Sequence, residues 1–125
     1  MMVVNILIRY NDLILLFKKR HKNIWDSLEG PLLQAETMES CASRIVKNSI
    51  NHRFRRERFI MIDRDNDLEK QRYFYSINLD HIPEFIHLPK DLVSCKWFHL
   101  HDLECIKLSK NLKTFSIVFS GASVG

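Results

Sequence analysis

The sequence contains little of the material that builds linkers or cross-links. It has only three glycines and three prolines in 125 residues, which argues against disordered linkers and favours one domain over residues 1–125. It also has only three cysteines, Cys41, Cys95 and Cys105, with no C-x-x-C pair. An odd set of this kind fits a reducing, cytoplasmic setting better than a secreted disulfide scaffold.

Long hydrophobic runs are scarce as well. The apolar start of the chain, residues 1–8, ends at Arg9 and has no basic region before it. It is too short to cross a bilayer as a helix, and it lacks the flanks of a signal peptide. We therefore expect a β-strand here and no association with a membrane.

Several motifs of catalytic and metal chemistry are missing from the sequence. Neither a G-x-S-x-G motif nor a Gly-rich phosphate loop occurs. Asp63, Asp65 and Asp67 alternate like the start of an EF-hand loop, but the glycine and the late glutamate of that loop are not there. His99 and His101 would share one face of a strand, yet no third zinc ligand is evident. We interpret both groups as surface or packing residues.

Positive charge is what the sequence has in excess. The net charge is +4, and the basic residues concentrate in residues 18–22 and 53–58. Such clusters attract polyanions, including nucleotide phosphates and RNA. The alternative is that both clusters are simply solvated strand ends. The candidate phosphate-binding residues in the clusters are Lys18, Arg20, Arg53, Arg55 and Arg56.

Hydrophobic periodicity predicts an α+β domain. Two apolar runs, residues 3–10 and 13–17, flank an Asn-Asp pair, which is typical of a β-hairpin. Residues 36–50 carry apolar side chains at helical spacing. The pattern also predicts strands over residues 54–62, 73–79 and 95–100, an exposed loop over 63–71 and a C-terminal helix over 109–119. We expect a mixed β-sheet covered by the helices.

Residues 30–52 resemble the Nudix box of the Nudix hydrolases. The family pattern is Gly, five residues, Glu, seven residues, then Arg-Glu-apolar-any-Glu-Glu-any-Gly-apolar. This chain matches the pattern in register at Gly30, Glu36, Arg44 and Val46. Trp25 lies where the family often has a Trp, and residues 96–103 resemble a late strand and turn of the family. The resemblance implies a Nudix-like mixed β-sheet sandwiched between helices.

The resemblance fails at the positions where the family binds metal. In the family, glutamates late in the box helix hold Mg²⁺ or Mn²⁺, which polarises a diphosphate and activates water. The matching positions here are Ile45, Asn48 and Ser49, and none of them carries a charge. Because Mg²⁺ prefers oxygen ligands that include carboxylates, we expect no metal at these positions and an impaired catalytic site.

The box residues that remain are expected to be structural. In the family, the first Glu and the Arg of the box commonly support the loop and the helix, which implies an ion pair between Glu36 and Arg44. Gly30 belongs to the same structural set. Asn51 replaces the glycine that usually ends the helix, and Asn tolerates the left-handed cap conformation.

Three functions stay open at this point. The first is a protein without a cofactor that binds a nucleotide or another phosphorylated ligand, or serves as an interaction module. The second is a Mg²⁺- or Mn²⁺-dependent hydrolase of nucleoside diphosphate derivatives with a relocated metal site, for which Glu36 and Glu39 are the catalytic candidates and Glu29 lies near them in sequence. The third is an RNA-binding module that needs no metal.

Overall fold

The computed structural model describes residues 1–66, 69–84, 86–110 and 112 of the chain. These residues form seven strands, one α-helix and two short 3-10 helices. The strands are β1 (Met2–Tyr10), β2 (Leu13–Lys19), β3 (Trp25–Asp26), β4 (Leu28–Pro31), β5 (Ile60–Asn66), β6 (Gln71–Asn78) and β7 (Leu92–His99). The helices are α1 (Met38–Ile50) and the 3-10 segments Arg56–Arg58 and Leu100–Cys105.

The seven strands form one mixed sheet with β1 at its centre. Strand β1 runs antiparallel to β2 and β4 and parallel to β6. Strand β5 pairs with β6 at one end of the sheet, while β2 also pairs with β3 and β7. The predicted hairpin of β1 and β2 is confirmed, and Asn11 at its turn has a positive φ of 51°, which Asn accepts more readily than most residues.

Apolar side chains cover both faces of the sheet. Val4, Ile6 and Ile8 of β1 belong to the core on the α1 side, whereas Leu7 belongs to a second core with Leu103. Successive side chains of a strand point to opposite faces, so a strand buried on both sides becomes apolar nearly throughout. The predicted α+β class, a mixed sheet packed against helix, is confirmed.

The helix α1 begins and ends at well-defined caps. The Thr37 side chain accepts a hydrogen bond from the Ser40 N–H at 3.1 Å, which satisfies one free amide of the first turn. At the other end, Asn51 adopts the left-handed conformation at φ 60° and donates its N–H to the Lys47 carbonyl. The expected role of Asn51 as the cap is therefore confirmed.

Two predictions about the region before and within β5 are wrong. Residues 54–59 do not form a strand, because Arg58 and Phe59 donate their amides to the carbonyls of Arg55 and Arg56 in a 3-10 turn. Residues 63–66 and 71 are not loop but belong to β5 and β6. Strand β5 lies at the edge of the sheet, where charged residues are common, and its charges therefore resemble those of a loop.

The end of the chain tests two further expectations. Strand β7 ends at His99, so His101 lies in the following 3-10 helix rather than on a strand, although the two imidazole centroids are 4.2 Å apart. The helix predicted over residues 109–119 falls mostly outside the described residues. At its start, the Leu112 N–H donates to the Ser109 hydroxyl oxygen at 3.1 Å. Among the described helices, none has the length and apolar content to span a bilayer.

Candidate functional site

Gly30 lets strand β4 approach helix α1 closely. It pairs with Val4 of the central strand, and a Cβ placed on it would lie 2.8 Å from Cδ1 of Ile45. Its φ is not positive, so the close approach, not a left-handed conformation, favours glycine here. The first matching residue of the box therefore fixes the distance between the sheet and the helix that carries the rest of the box.

The predicted ion pair between Glu36 and Arg44 is present. Arg44 donates from Nε to Oε2 of Glu36 at 2.9 Å and from Nη2 to Oε1 at 3.1 Å, a bidentate arrangement. Nη2 also donates to the Pro31 carbonyl, and Glu36 accepts the Leu33 N–H. The hydrogen bond from Arg44 holds the pKa of the Glu36 carboxyl at about 2. These contacts tie the loop between β4 and α1 to the middle of the helix.

The positions at which the family binds metal carry no suitable donor set. Ile45 is buried beneath Gly30, and Ser49 is 1% exposed. Asn48 is exposed and offers only a neutral amide oxygen. Mg²⁺ needs several oxygen ligands in near-octahedral geometry, commonly with carboxylates among them, and these three side chains do not fit it.

The other two acidic candidates, Glu29 and Glu39, already have partners. Oε1 of Glu39 accepts a hydrogen bond from the Tyr75 hydroxyl at 3.1 Å. Burial, together with the Glu39 charge, raises the pKa of Tyr75 to about 12, so that this donor stays protonated. Glu29 accepts from the Asn5 side-chain amide and pairs with Arg72. Neither Glu29 nor Glu39 lines the groove described next. In the described part of the chain, no group of three or more His, Cys, Asp or Glu side chains is arranged to bind a metal ion.

An open groove of about 910 Å³ runs along the exposed face of α1. One wall is the helix, which contributes Arg44, Lys47 and Asn48, and the other is residues 53–57. The groove is strongly basic, because five cationic side chains line it against two carboxylates. We name it the basic groove, and its charged lining residues are Glu36, Arg44, Lys47, Arg53, Arg55, Arg56 and Glu57.

The structure brings together one of the two basic clusters and leaves the other apart. Arg53, Arg55 and Arg56 all line the basic groove and are exposed. Lys18 and Arg20 are not among its lining residues. Lys18 lies on β2 opposite Trp25, and Arg20 donates from Nη2 to the Lys90 carbonyl at 3.2 Å. The candidate phosphate-binding set therefore divides in two.

Two charged residues of the groove had no part in the sequence prediction. Lys47 lies one turn after Arg44 on α1, so helical spacing places it on the same face. Glu57 lies in the 3-10 turn and contributes a carboxylate to the groove, in addition to the Arg44-bound Glu36. A helical wheel drawn from Arg44 would have found Lys47, whereas Glu57 carries no signal in a one-dimensional pattern.

Solved structures similar to this one share its architecture. A MutT protein from Aliivibrio salmonicida or Vibrio cholerae superposes with a TM-score of 0.79 at 15% identity, covering 96% of this chain and 97% of that one. The NUDIX domain of Shewanella oneidensis NrtR, complexed with ADP ribose, gives 0.75 at 12%, covering 98% and 87%. A NUDIX hydrolase from Nitrosomonas europaea gives 0.73 at 14%, covering 97% and 88%.

The comparisons of sequence found no match. Neither a protein-family model nor a curated protein sequence matches the chain. The structural likeness extends over nearly the whole chain, and it agrees with the box residues that form the contacts between β4, its loop and α1. The chain has the fold of the Nudix hydrolases.

Proposed function

We propose that this protein binds a nucleotide or a related phosphorylated ligand in the basic groove and has little or no pyrophosphohydrolase activity of the usual Nudix type. One observation carries the proposal. Arg53, Arg55 and Arg56 converge on the groove, and none of their side chains forms an ion pair or hydrogen bond with another described residue.

Arginine is well suited to such a ligand. Its planar guanidinium group presents several N–H donors that match two oxygens of a phosphate at once. Lys47 adds a compact charge from the helix wall, and Asn48 adds a neutral amide. A ligand phosphate would therefore meet donors from both walls. The NUDIX domain of Shewanella oneidensis NrtR, which has this fold, is complexed with ADP ribose, a ligand of the proposed class.

The chemistry of the helix argues against the usual hydrolysis. A Nudix-type reaction needs a divalent ion to neutralise the diphosphate and activate water. Ile45, Asn48 and Ser49 do not provide its ligands, and the Glu36 carboxylate is bound by Arg44. Of the two carboxylates that line the groove, Glu57 is the one that forms no ion pair with another described residue. The groove therefore offers binding without a ready metal site.

Calorimetric titration with inorganic pyrophosphate and ADP, in the presence of chelator, tests binding. We expect both to bind and their affinity to fall as salt is raised, since the contacts are electrostatic. If neither ligand binds, the proposal is rejected. A titration in which an oligoribonucleotide binds far more tightly than ADP, with a steep salt dependence, would assign the groove to RNA instead.

A hydrolysis assay tests the second half of the proposal. A panel of nucleoside diphosphate derivatives is incubated with Mg²⁺, with Mn²⁺ and with chelator, using wild type, Glu36→Gln, Glu39→Gln and Glu57→Gln. We expect that any metal-dependent turnover in the preparation is the same for wild type and for all three variants. Turnover lost in one variant would show a relocated metal site and would contradict catalytic impairment.

A further inference from the structure

A second, smaller cavity of about 380 Å³ lies at the C-terminal end of α1, beside the segment that follows β6. Asn51 and His52 contribute to it from the end of the helix, and Asp80 and Glu84 contribute from the other side. Phe54 lines both this cavity and the basic groove. The two spaces therefore meet at one aromatic side chain.

Phe54 is held in place by its neighbours. Its carbonyl accepts a hydrogen bond from the Ser43 hydroxyl of α1 at 2.9 Å. Its half-buried ring packs against the core, with the His52 ring at 4.6 Å in an edge-to-face arrangement. The Arg58 guanidinium lies 5.8 Å from the Phe54 centroid. An ordered aromatic group at the junction offers a planar ligand a surface to contact.

The two spaces have opposite electrostatic character. The basic groove has five cationic side chains and two carboxylates, whereas the second cavity has Arg58 against Asp80 and Glu84, with two histidines. Arg58 is already engaged, because it lies 3.7 Å from the Asp80 carboxylate and donates to the Asn78 carbonyl. Glu84 has no ion-pair partner among the residues that the structure describes. A phosphate is therefore favoured in the groove, and a group rich in N–H donors is favoured in the second cavity.

We propose that the second cavity binds a nucleobase that carries an exocyclic amino group, with the base against Phe54, its N–H donors directed to Glu84 and Asp80, and its phosphates in the basic groove. This inference rests on the proposed function, since it assigns the nucleotide an orientation along the two spaces. Adenine, cytosine and guanine carry such an amino group. Uracil and hypoxanthine do not, and a carboxylate distinguishes bases by the donors that they present.

The test compares affinities for five nucleoside diphosphates and for inorganic pyrophosphate, all measured with chelator by calorimetry. We expect the adenosine, cytidine and guanosine diphosphates to bind roughly tenfold more tightly than the uridine and inosine diphosphates, in line with the discrimination that a well-placed pair of hydrogen bonds gives. In Glu84→Ala this preference should shrink severalfold, while the affinity for pyrophosphate stays at the wild-type value. Asp80→Ala should act in the same direction.

The possible outcomes separate the two proposals. Pyrophosphate and all five nucleotides binding with equal affinity would overturn the base assignment and leave the phosphate groove intact. A preference that survives in both Glu84→Ala and Asp80→Ala would also overturn it, because the base would then be recognised elsewhere. Failure of every probe to bind, pyrophosphate included, would instead reject the proposed function on which the inference rests.

Discussion

Arginines on the two walls of one groove behave in opposite ways. Arg44, on the helix wall, has its Nε and Nη2 bound by Glu36 and by the Pro31 carbonyl. Arg53, Arg55 and Arg56, on the opposite wall, are exposed and have no side-chain partner among the described residues. A partner, not the residue type, therefore separates a structural arginine from one that is free to bind an anion.

The largest expected effect comes from removing the unpaired arginines. Replacing Arg53, Arg55 and Arg56 together with Gln should weaken pyrophosphate binding roughly a hundredfold, because each exposed ion pair with the ligand contributes up to about 1 kcal/mol and the variant removes three of them. The melting temperature should barely change, since no described contact is lost. Calorimetry and thermal melting measure the two quantities.

The matched control for the triple variant is Lys18→Gln with Arg20→Gln. This double variant removes the other basic cluster, which does not line the groove. Its pyrophosphate affinity should equal that of wild type. Equal losses in the two variants would mean that net charge, not the geometry of the groove, determines binding.

Arg44→Ala removes the paired arginine of the helix wall. The substitution removes the Arg44 donors from the Glu36 carboxylate and the Pro31 carbonyl, so we expect a loss of about 1–3 kcal/mol in the free energy of unfolding. Denaturant unfolding and thermal melting measure it. Arg44→Lys should recover only part of the loss, because an ammonium group cannot reproduce the bidentate pair. Arg55→Ala is the control, and a melting temperature as low as that of Arg44→Ala would contradict the distinction.

Gly30→Ala tests the close packing beneath the helix. The added Cβ would meet Ile45 Cδ1 at 2.8 Å, and we expect a loss of about 1 kcal/mol as the two elements separate slightly. Ile45→Val removes that Cδ1 and should partly rescue Gly30→Ala, so the double variant should be more stable than the sum of the single changes predicts. Strict additivity of the unfolding free energies would refute the contact.

Most of the fold was predictable because its central elements carry clear apolar patterns. The continuous apolar run of β1 and the helical spacing in α1 follow from burial on two faces and on one stripe, which dominates the choice of residues there. The second half of the edge strand β5 is predicted as loop instead, since its Asp63, Arg64 and Asp65 face solvent in part and give no apolar alternation. Sequence patterns report burial, so an element that buries little on one side is poorly predicted.

The candidate site was predictable only in part. The ion pair between Glu36 and Arg44 was implied by the matched box, and the phosphate-binding candidates by local charge. The position of residues 53–57 alongside α1 was not predictable, because it depends on a 3-10 turn where an extended segment is expected from the sequence. The local turn and the packing of residues 53–57 alongside α1 together decide which arginines share a site.

The smallest effect is expected in the pH dependence of the paired side of the groove. Glu36 has a pKa of about 2, below its ordinary value of 4.5, so the ionised form is the one that the fold stabilises. The stability that the ionised Glu36 carboxylate contributes is fully present above pH 4.5 and is lost as the pH falls toward 2. Glu36→Gln keeps an acceptor oxygen but cannot ionise, so its melting temperature should lie a few degrees below that of wild type at pH 7, and the gap should narrow between pH 4.5 and pH 2.

Because the other carboxylates are common to wild type and Glu36→Gln, their titration cancels in the difference between the two melting temperatures. Glu57→Gln, which removes a groove carboxylate outside the pair, serves as the control. A gap between wild type and Glu36→Gln that stays constant down to pH 2 would mean that the bidentate pair does not stabilise the fold through the charge of Glu36.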